Sequence, residues 1–407
     1  LNFLFAWRYF KAKKTTNAIN IISWISIVAM MVGTTALILV LSVFNGFEGL
    51  VKSLYTSFYP DIKITPVAGK QLTLTQLQLD KLRSVSGVKN FSLIAEEKAL
   101  LQNGDYQSII YLKGVDENYN KVAGVADHLV KGEFNTGDAD NPLLILGAGI
   151  ENAVSVQSDR NLVPLVVYLP RKSNVNVTDP FQSINADTVN TAGTFTIQQE
   201  FDNKYAITNL AFVKEMLEMP EDNYTAVEMS IDPSLNEDDI KKDIKKKLGR
   251  NYTVLTRYEQ NRSLYAVMRA EKWVIYIILS IILIVAAFNM IGALTMLVLE
   301  KKADIGVLHS LGASSRLIQN IFLSEGLLLG VLGGGIGMLL ALAIAFVQIY
   351  FQVIPLQGGS FLIDYFPVTL SAFDFILVGC TVIFIAVIAS YIPARKAARQ
   401  QFVIREE

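Results

Sequence analysis

The sequence holds a single cysteine, Cys380, and two histidines, His128 and His309. One thiol inside an apolar run excludes an intrachain disulfide and any cysteine-based metal cluster. Charge is scarce as well: Asp, Glu, Lys and Arg make up 18% of the chain, and a net charge of -1 leaves no basic surplus for binding nucleic acid. No GxxxxGK[ST] loop occurs, so the chain lacks its own phosphate cradle and is expected to bind no nucleotide. "GAGIENA" (Gly147 to Ala153) follows a strand and opens a helix, but it lacks the third glycine of the dinucleotide fingerprint; close strand-helix packing explains it. Nothing reads as a nucleophile with its base. The expectation is a protein without a catalytic site and without a bound metal.

What the sequence has in quantity is hydrocarbon, with 52% apolar residues. A bilayer core of about 30 Å asks for roughly 20 mostly apolar helical residues. Residues 19–44, 273–299, 321–347 and 372–392 meet that demand. The first is too long for a signal-peptide core and lacks a small-residue cleavage pattern, so it reads as an uncleaved span. Basic residues set the orientation, because short loops rich in Lys and Arg stay in the cytoplasm. Arg8, Lys11, Lys13 and Lys14 precede span one, Lys301, Lys302 and Arg316 lie between spans two and three, and Arg395, Lys396, Arg399 and Arg405 follow span four. The loop 348–371 has none. Both termini are therefore expected in the cytoplasm, with residues 45–272 and 348–371 outside it.

The fold class expected is an α+β membrane protein: four transmembrane helices with a large α+β extracytoplasmic domain inserted between helices 1 and 2. In that domain "DIKITP" alternates as a strand, "TLTQLQLDKLRSV" is helical with Thr75 as N-cap, and a hairpin turns at Asn103-Gly104-Asp105. The closing pattern "YTAVEMSIDP", "NEDDIKKDIKKKLG", "NYTVLTRY" echoes the opening one. A discontinuous subdomain, about 45–90 plus 215–260, is expected to carry an inserted one at about 91–214. From Glu259 onward no Pro or Gly interrupts the approach to span two, so one helix is expected to run unbroken into the membrane and to transmit motion. The N-terminal residues 1–18, aromatic then basic, suit an interfacial helix, and 393–407 form a cytoplasmic tail.

Three features stand out in the apolar part. Span three carries small-xxx-small spacings at Gly326/Gly330 and Gly333/Gly337, which suit close helix packing. Glu325 lies a turn inside the same span, where a carboxylate asks for a partner; Lys301, Lys302 or Arg395 are candidates. Between spans two and three, residues 300–320 interrupt the hydrocarbon. A helix from about Lys301 to Ser310 puts Ile305, Leu308 and Leu311 at i, i+3, i+6 with Val307 at their edge. Gly312 can stop it in the left-handed conformation and Ser314 or Ser315 can cap the next span. Such a helix either lies on lipid or docks in a protein groove.

"EKKADIGVLHSLGASSRLIQNIFLSEGLLLG" resembles the coupling segment and following span of the FtsX-like ABC transporter permease family, whose outer domain is of the MacB-like kind. "LSVFNGFEGLVKSL" and "FLIDYFPVTLSAFDF" look specifically like its lipoprotein-releasing branch, LolC and LolE. The resemblance implies a permease half that docks on a separate, LolD-like ATPase through Ile305, Gly306, Val307, Leu308, His309, Leu311 and Gly312, with ATP and Mg bound by that partner. It implies pairing with a second permease copy or paralogue. It also implies extraction of lipoproteins from the outer leaflet of the inner membrane and delivery to a periplasmic, LolA-like chaperone. Asn45, Phe47, Tyr365 and Phe366 are then candidates for the place where lipid acyl chains are admitted, and Pro180 and Phe181 for chaperone contact. A MacB-like exporter, an FtsX-like regulator of a cell-envelope hydrolase, or a membrane scaffold are the other readings.

Overall fold

A computed structural model describes residues 17–160, 164–171, 184–356, 363 and 365–399. Most of the expected interfacial helix, the tail beyond 399, and Pro180 and Phe181 lie outside the described residues. In chain order the elements are α1 (Asn17–Phe58), β1 (Ile62–Pro66), β2 (Leu72–Thr73), α2 (Gln76–Arg83), β3 (Val88–Asn103), β4 (Tyr106–Val115), β5 (Leu129–Gly132), β6 (Leu143–Gly147), α3 (Ala148–Ala153), β7 (Leu165–Pro170), β8 (Ile184–Phe195) and α4 (Gln199–Asp202). There follow β9 (Tyr205–Asn209), α5 (Leu210–Met216), β10 (Asn223–Tyr224), β11 (Ala226–Ile231), α6 (Glu237–Leu248), β12 (Tyr252–Thr256), α7 (Arg257–Gln260), α8 (Arg262–Glu300), α9 (Lys302–Ser310), α10 (Ser315–Phe351) and α11 (Ala372–Ala398). The chain divides into two compact units. Among the described residues one comprises 17–50, 266–356, 363 and 365–399, the other 51–160, 164–171 and 184–265.

The first unit is helical. Among the described residues, α1, α8, α10 and α11 are the four helices long and apolar enough to cross a membrane. They share one core that includes Met30 and Leu37 of α1, Leu283 and Met290 of α8, Phe322 of α10, and Val382 and Ala386 of α11. Their outward faces are apolar too, for example Ile277, Ile281 and Phe288. In water that would be a liability; in lipid it is what a spanning helix needs.

The second unit is a mixed sheet with short helices. β12, β1, β11 and β3 form an antiparallel run, and α2 and α6 cover it through Leu79, Leu82, Ile240 and Ile244. Beyond it the pairings return on themselves: β3 pairs β4, then β9, β6, β8 and β7 follow, and β7 pairs β3 again. A second core draws residues from all six strands, among them Leu101, Leu112, Leu146, Val167, Val189 and Ala206. The β3-β4 hairpin turns through Gly104 and Asp105, with Gly104 at φ +57°. Thr75 precedes α2 and its amide donates to Gln78 at 3.0 Å. In "GAGIENA" a Cβ on Gly147 would lie 2.3 Å from the Asp202 carbonyl oxygen, so the glycine there serves close packing.

α10 and α11 outrun the expected 321–347 and 372–392, and two further boundaries differ near the sheet unit. α1 runs to Phe58 because Val51, Leu54, Tyr55 and Phe58 recur at helical spacing and pack into an aromatic core with Phe195 and Phe201. The Phe58 and Phe201 rings stack at 4.3 Å between centroids. The approach to α8 is interrupted: α7 is a single capped turn that ends at Asn261 (φ -121°, ψ 35°), and the long helix begins only at Arg262. The capping Glu259 carboxylate accepts from the Thr256 amide at 3.0 Å, which fixes this turn separately.

Buried in the sheet unit is an ion pair. Lys113 of β4 and Glu228 of β11 are each 1% exposed, and the Lys113 ammonium donates to both carboxylate oxygens at 2.9 Å. Lys63, opposite Glu228 in the β1-β11 register, approaches it to 3.4 Å. The Lys113 charge also lies over the rings of Phe58 and Tyr119, at 5.1 and 4.8 Å.

Candidate coupling and acyl-admission sites

The helical unit has two ends of different chemistry, and the glycines of α10 show how they are arranged. A Cβ on Gly326 would lie 2.0 Å from Ser390 Oγ, one on Gly330 2.5 Å from Ala386 Cβ, and one on Gly334 2.7 Å from Val382 Cγ1. As the α10 numbers rise the α11 numbers fall, so these helices are antiparallel. A Cβ on Gly333 would lie 2.8 Å from the Ile27 carbonyl oxygen and one on Gly337 2.6 Å from that of Met31, so α10 and α1 run parallel. The two spacings read from the sequence thus face different neighbours, and Gly334 extends the first of them. Thr35 Oγ1 adds a 3.0 Å bond to the Gly337 carbonyl. Glu325, 1% exposed, sits beside the first seam.

At the end where α10 begins lies α9. Its stop is a Schellman arrangement: the Gly312 amide donates to His309 at 3.0 Å, the Ala313 amide donates to Leu308 at 2.9 Å, and Gly312 has φ +87°. The next helix is capped by Ser314, whose hydroxyl accepts from the Leu317 amide at 3.3 Å. The apolar residues of α9 divide into two sets. Ile305 is 3% exposed and belongs to the helical core, and Gly306 is buried beside it. Val307 and Leu311 are 58% and 78% exposed, with Leu308 and His309 half-buried between them. Ile305 therefore fastens the segment to its own bundle, and the presented apolar surface is Val307, Leu308 and Leu311. A 3.0 Å Lys301–Asp304 pair marks the start of the helix.

At the opposite end two stretches far apart in sequence meet. The Thr369 amide donates to the Ser42 carbonyl at 2.9 Å. A Cβ on Gly46 would lie 2.2 Å from the Pro367 carbonyl oxygen, so only glycine lets the 365–371 segment pass across α1. Phe47 and Phe366 meet edge to face at 5.8 Å. Gln348, buried near the end of α10, braces the same segment: its amide nitrogen donates to the carbonyls of Ile354 and Phe366, each at 3.2 Å, and its oxygen accepts from the Ile354 amide at 3.0 Å. Pro355 and Tyr365 form an antiparallel bridge beside it.

Asn45, read from the sequence as a candidate for the place where acyl chains are admitted, is a member of a polar ring. Its side-chain nitrogen donates to Asp374 Oδ2 at 2.6 Å and its oxygen accepts from Lys272 Nζ at 2.7 Å. Lys272 closes the ring onto Asp374 at 3.2 Å, the aspartate side chain being 2% exposed and the lysine 29%. Phe47, Tyr365 and Phe366 remain the aromatic part of this end, all half-buried. Lys272, Asp374 and Gln348 were not singled out from the sequence. The signal was present: one Asp inside "AFDFILVGC" and one Lys directly before "WVIYIIL" are opposite charges at ends of apolar runs.

The family model described as FtsX-like permease C-terminal covers residues 276–402, and the one described as MacB-like periplasmic core domain covers residues 23–161. The lipoprotein-releasing system transmembrane protein LolE of Haemophilus influenzae is 26% identical, the match spanning 98% of this chain and 97% of that protein. LolC of Neisseria meningitidis serogroup B is also 26% identical, over 97% of each. Among solved structures, the periplasmic region of MacB from Actinobacillus actinomycetemcomitans aligns with 53% of this chain and 98% of its own length, at 12% identity and a TM-score of 0.37.

Proposed function

Given a chain that joins an FtsX-like permease region to a MacB-like periplasmic core domain and resembles LolC and LolE throughout, we propose that it is a permease subunit of an ATP-driven ABC transporter that extracts lipoproteins from the inner membrane. The observation that carries this is the meeting of "LSVFNGFE" and "YFPVTLSAFDF" at one end of the bundle, through Ser42–Thr369, Gly46–Pro367 and Phe47–Phe366. These are the stretches that resemble the lipoprotein-releasing branch, and they build one site.

On this reading both termini and α9 are cytoplasmic, and the sheet unit is periplasmic. Val307, Leu308 and Leu311 seat a LolD-like ATPase, which binds ATP and Mg. Lifting an acyl chain out of lipid costs about 0.8 kcal/mol per CH₂, so extraction needs that external source of energy. The substrate passes the Phe47, Tyr365 and Phe366 aromatics and leaves on a LolA-like chaperone, with a second permease completing the transporter. The test is depletion of the subunit in living cells, followed by chaperone-dependent release of mature lipoproteins from spheroplasts. Release should fall at least tenfold; an unchanged rate refutes the reading.

A further inference from the structure

The outer half of α8 is held to the bundle differently from its inner half. From Leu283 onward α8 buries Leu283, Ala286, Ala287, Met290, Leu294, Leu297 and Val298 in the common core. Between residues 266 and 282 no residue is buried, and only Tyr276 and Leu279 touch that core from its edge. What ties this half sideways to α1 and α11 is polar: Lys272 with Asn45 and Asp374, and the Tyr276 hydroxyl with Thr381. The three members of the ring come from three helices and each bonds to the other two.

We propose that Asn45, Lys272 and Asp374 form a releasable latch that holds the outer half of α8 against α1 and α11, and that acyl chains enter when it opens. Apolar contact is sparse here and has no hydrophobic driving force behind it in lipid, where packing and interhelical hydrogen bonds hold helices together. An ion pair with one buried partner suits a latch, since it is specific in register and parting it leaves the buried charge without its partner. Each charge also has a refuge on opening. Asp374 lies in the first turn of α11, where the helix dipole favours a carboxylate. Lys272 is already part-exposed and reaches water by straightening. The latch rests on the proposed transport reading only for what passes through; its existence is a property of the helices alone.

The test uses the full chain in proteoliposomes, with Cys380→Ser and the pair Tyr276→Cys, Thr381→Cys joined by a short bifunctional thiol reagent. With the latch intact, cross-linking should be efficient. Lys272→Met or Asp374→Asn should lower its rate at least threefold, and the swap Lys272→Asp with Asp374→Lys should recover at least half of the loss. Monodisperse elution of each variant confirms that it is folded. Unchanged cross-linking in both single variants, or a folded swap that recovers nothing, overturns the proposal. Because this readout needs no substrate, it stands or falls separately from lipoprotein release. For function, Lys272→Met with the ATPase partner should hydrolyse ATP yet lose coupling to release; coupling within twofold of wild type also counts against the latch.

Discussion

Replacing Lys113 by Met probes the buried ion pair of the sheet unit. The substitution keeps the apolar stem between the Phe58 and Tyr119 rings but removes an ammonium that donates to both Glu228 oxygens at 2.9 Å. Glu228 is then left with Lys63, longer at 3.4 Å and 22% exposed. Breaking one side of a buried pair costs about 3–5 kcal/mol, and Lys63 keeps the figure near 3. Hydrogen exchange of β4 and β11 amides in the full-length protein is the assay, and about 3 kcal/mol corresponds to roughly a hundredfold faster exchange. The double variant Lys113→Met with Glu228→Leu should return close to wild type, because a pair replaced by hydrocarbon is often neutral. The acid side gives a second check. Burial pushes Glu228 up, but Lys113 and Lys63 outweigh it and hold the carboxyl below its ordinary 4.5. A depressed carboxylate stabilises above its unfolded pKa and loses that contribution as pH falls through the folded one. The stability gap between wild type and Glu228→Gln should therefore be full at pH 7 and shrink below pH 4.5. Exchange within threefold of wild type in Lys113→Met, or a double variant as labile as the single, would refute the reasoning.

Other expectations concern the helices. Gly330→Ala should lower the thermal midpoint in detergent through an overpacking cost of about 1–3 kcal/mol, and Ala386→Gly should restore it; failure of that rescue removes the seam as the cause. Gly312→Ala forces a non-glycine residue to φ +87°, costing about 1–3 kcal/mol, and on the proposed function should weaken co-purification of the proposed ATPase partner. Val307→Asp with Leu311→Asp should abolish that association while leaving the sheet unit's exchange pattern intact, whereas Ile305→Asp should destabilise the bundle itself. Equal effects of the surface and core changes on folding would contradict the division of α9 into an anchored and a presented side.

Local signals were readable where structure is local. The Gly312 stop, the Ser314 cap and the Gly104 turn each follow from a few adjacent residues. So did the apolar runs, though α1 outlasts its hydrocarbon because Tyr55 and Phe58 continue the helical spacing into the aromatic core. What depended on distant partners was not readable. Asn45 looks like any polar residue at a helix end until Lys272 and Asp374 are placed beside it, and the return of β7 to β3 has no trace in either strand alone. The split roles of Gly326/Gly330 and Gly333/Gly337 follow from which neighbours lie on each face, which spacing does not specify.

The strand circuit has a consequence for how the protein is made. β3 cannot complete its pairings until β7 exists, β4 needs β9, and β1 waits for β11 and β12 near Thr256. On the proposed topology α1 is in the bilayer while nearly the whole following segment emerges on the far side with its strands unsatisfied. Such non-local pairing is slow to form, and unpaired strands exposed meanwhile invite aggregation. On that topology, biogenesis of this protein should therefore be sensitive to the extracytoplasmic folding factors that shield nascent strands, well before any question of transport arises.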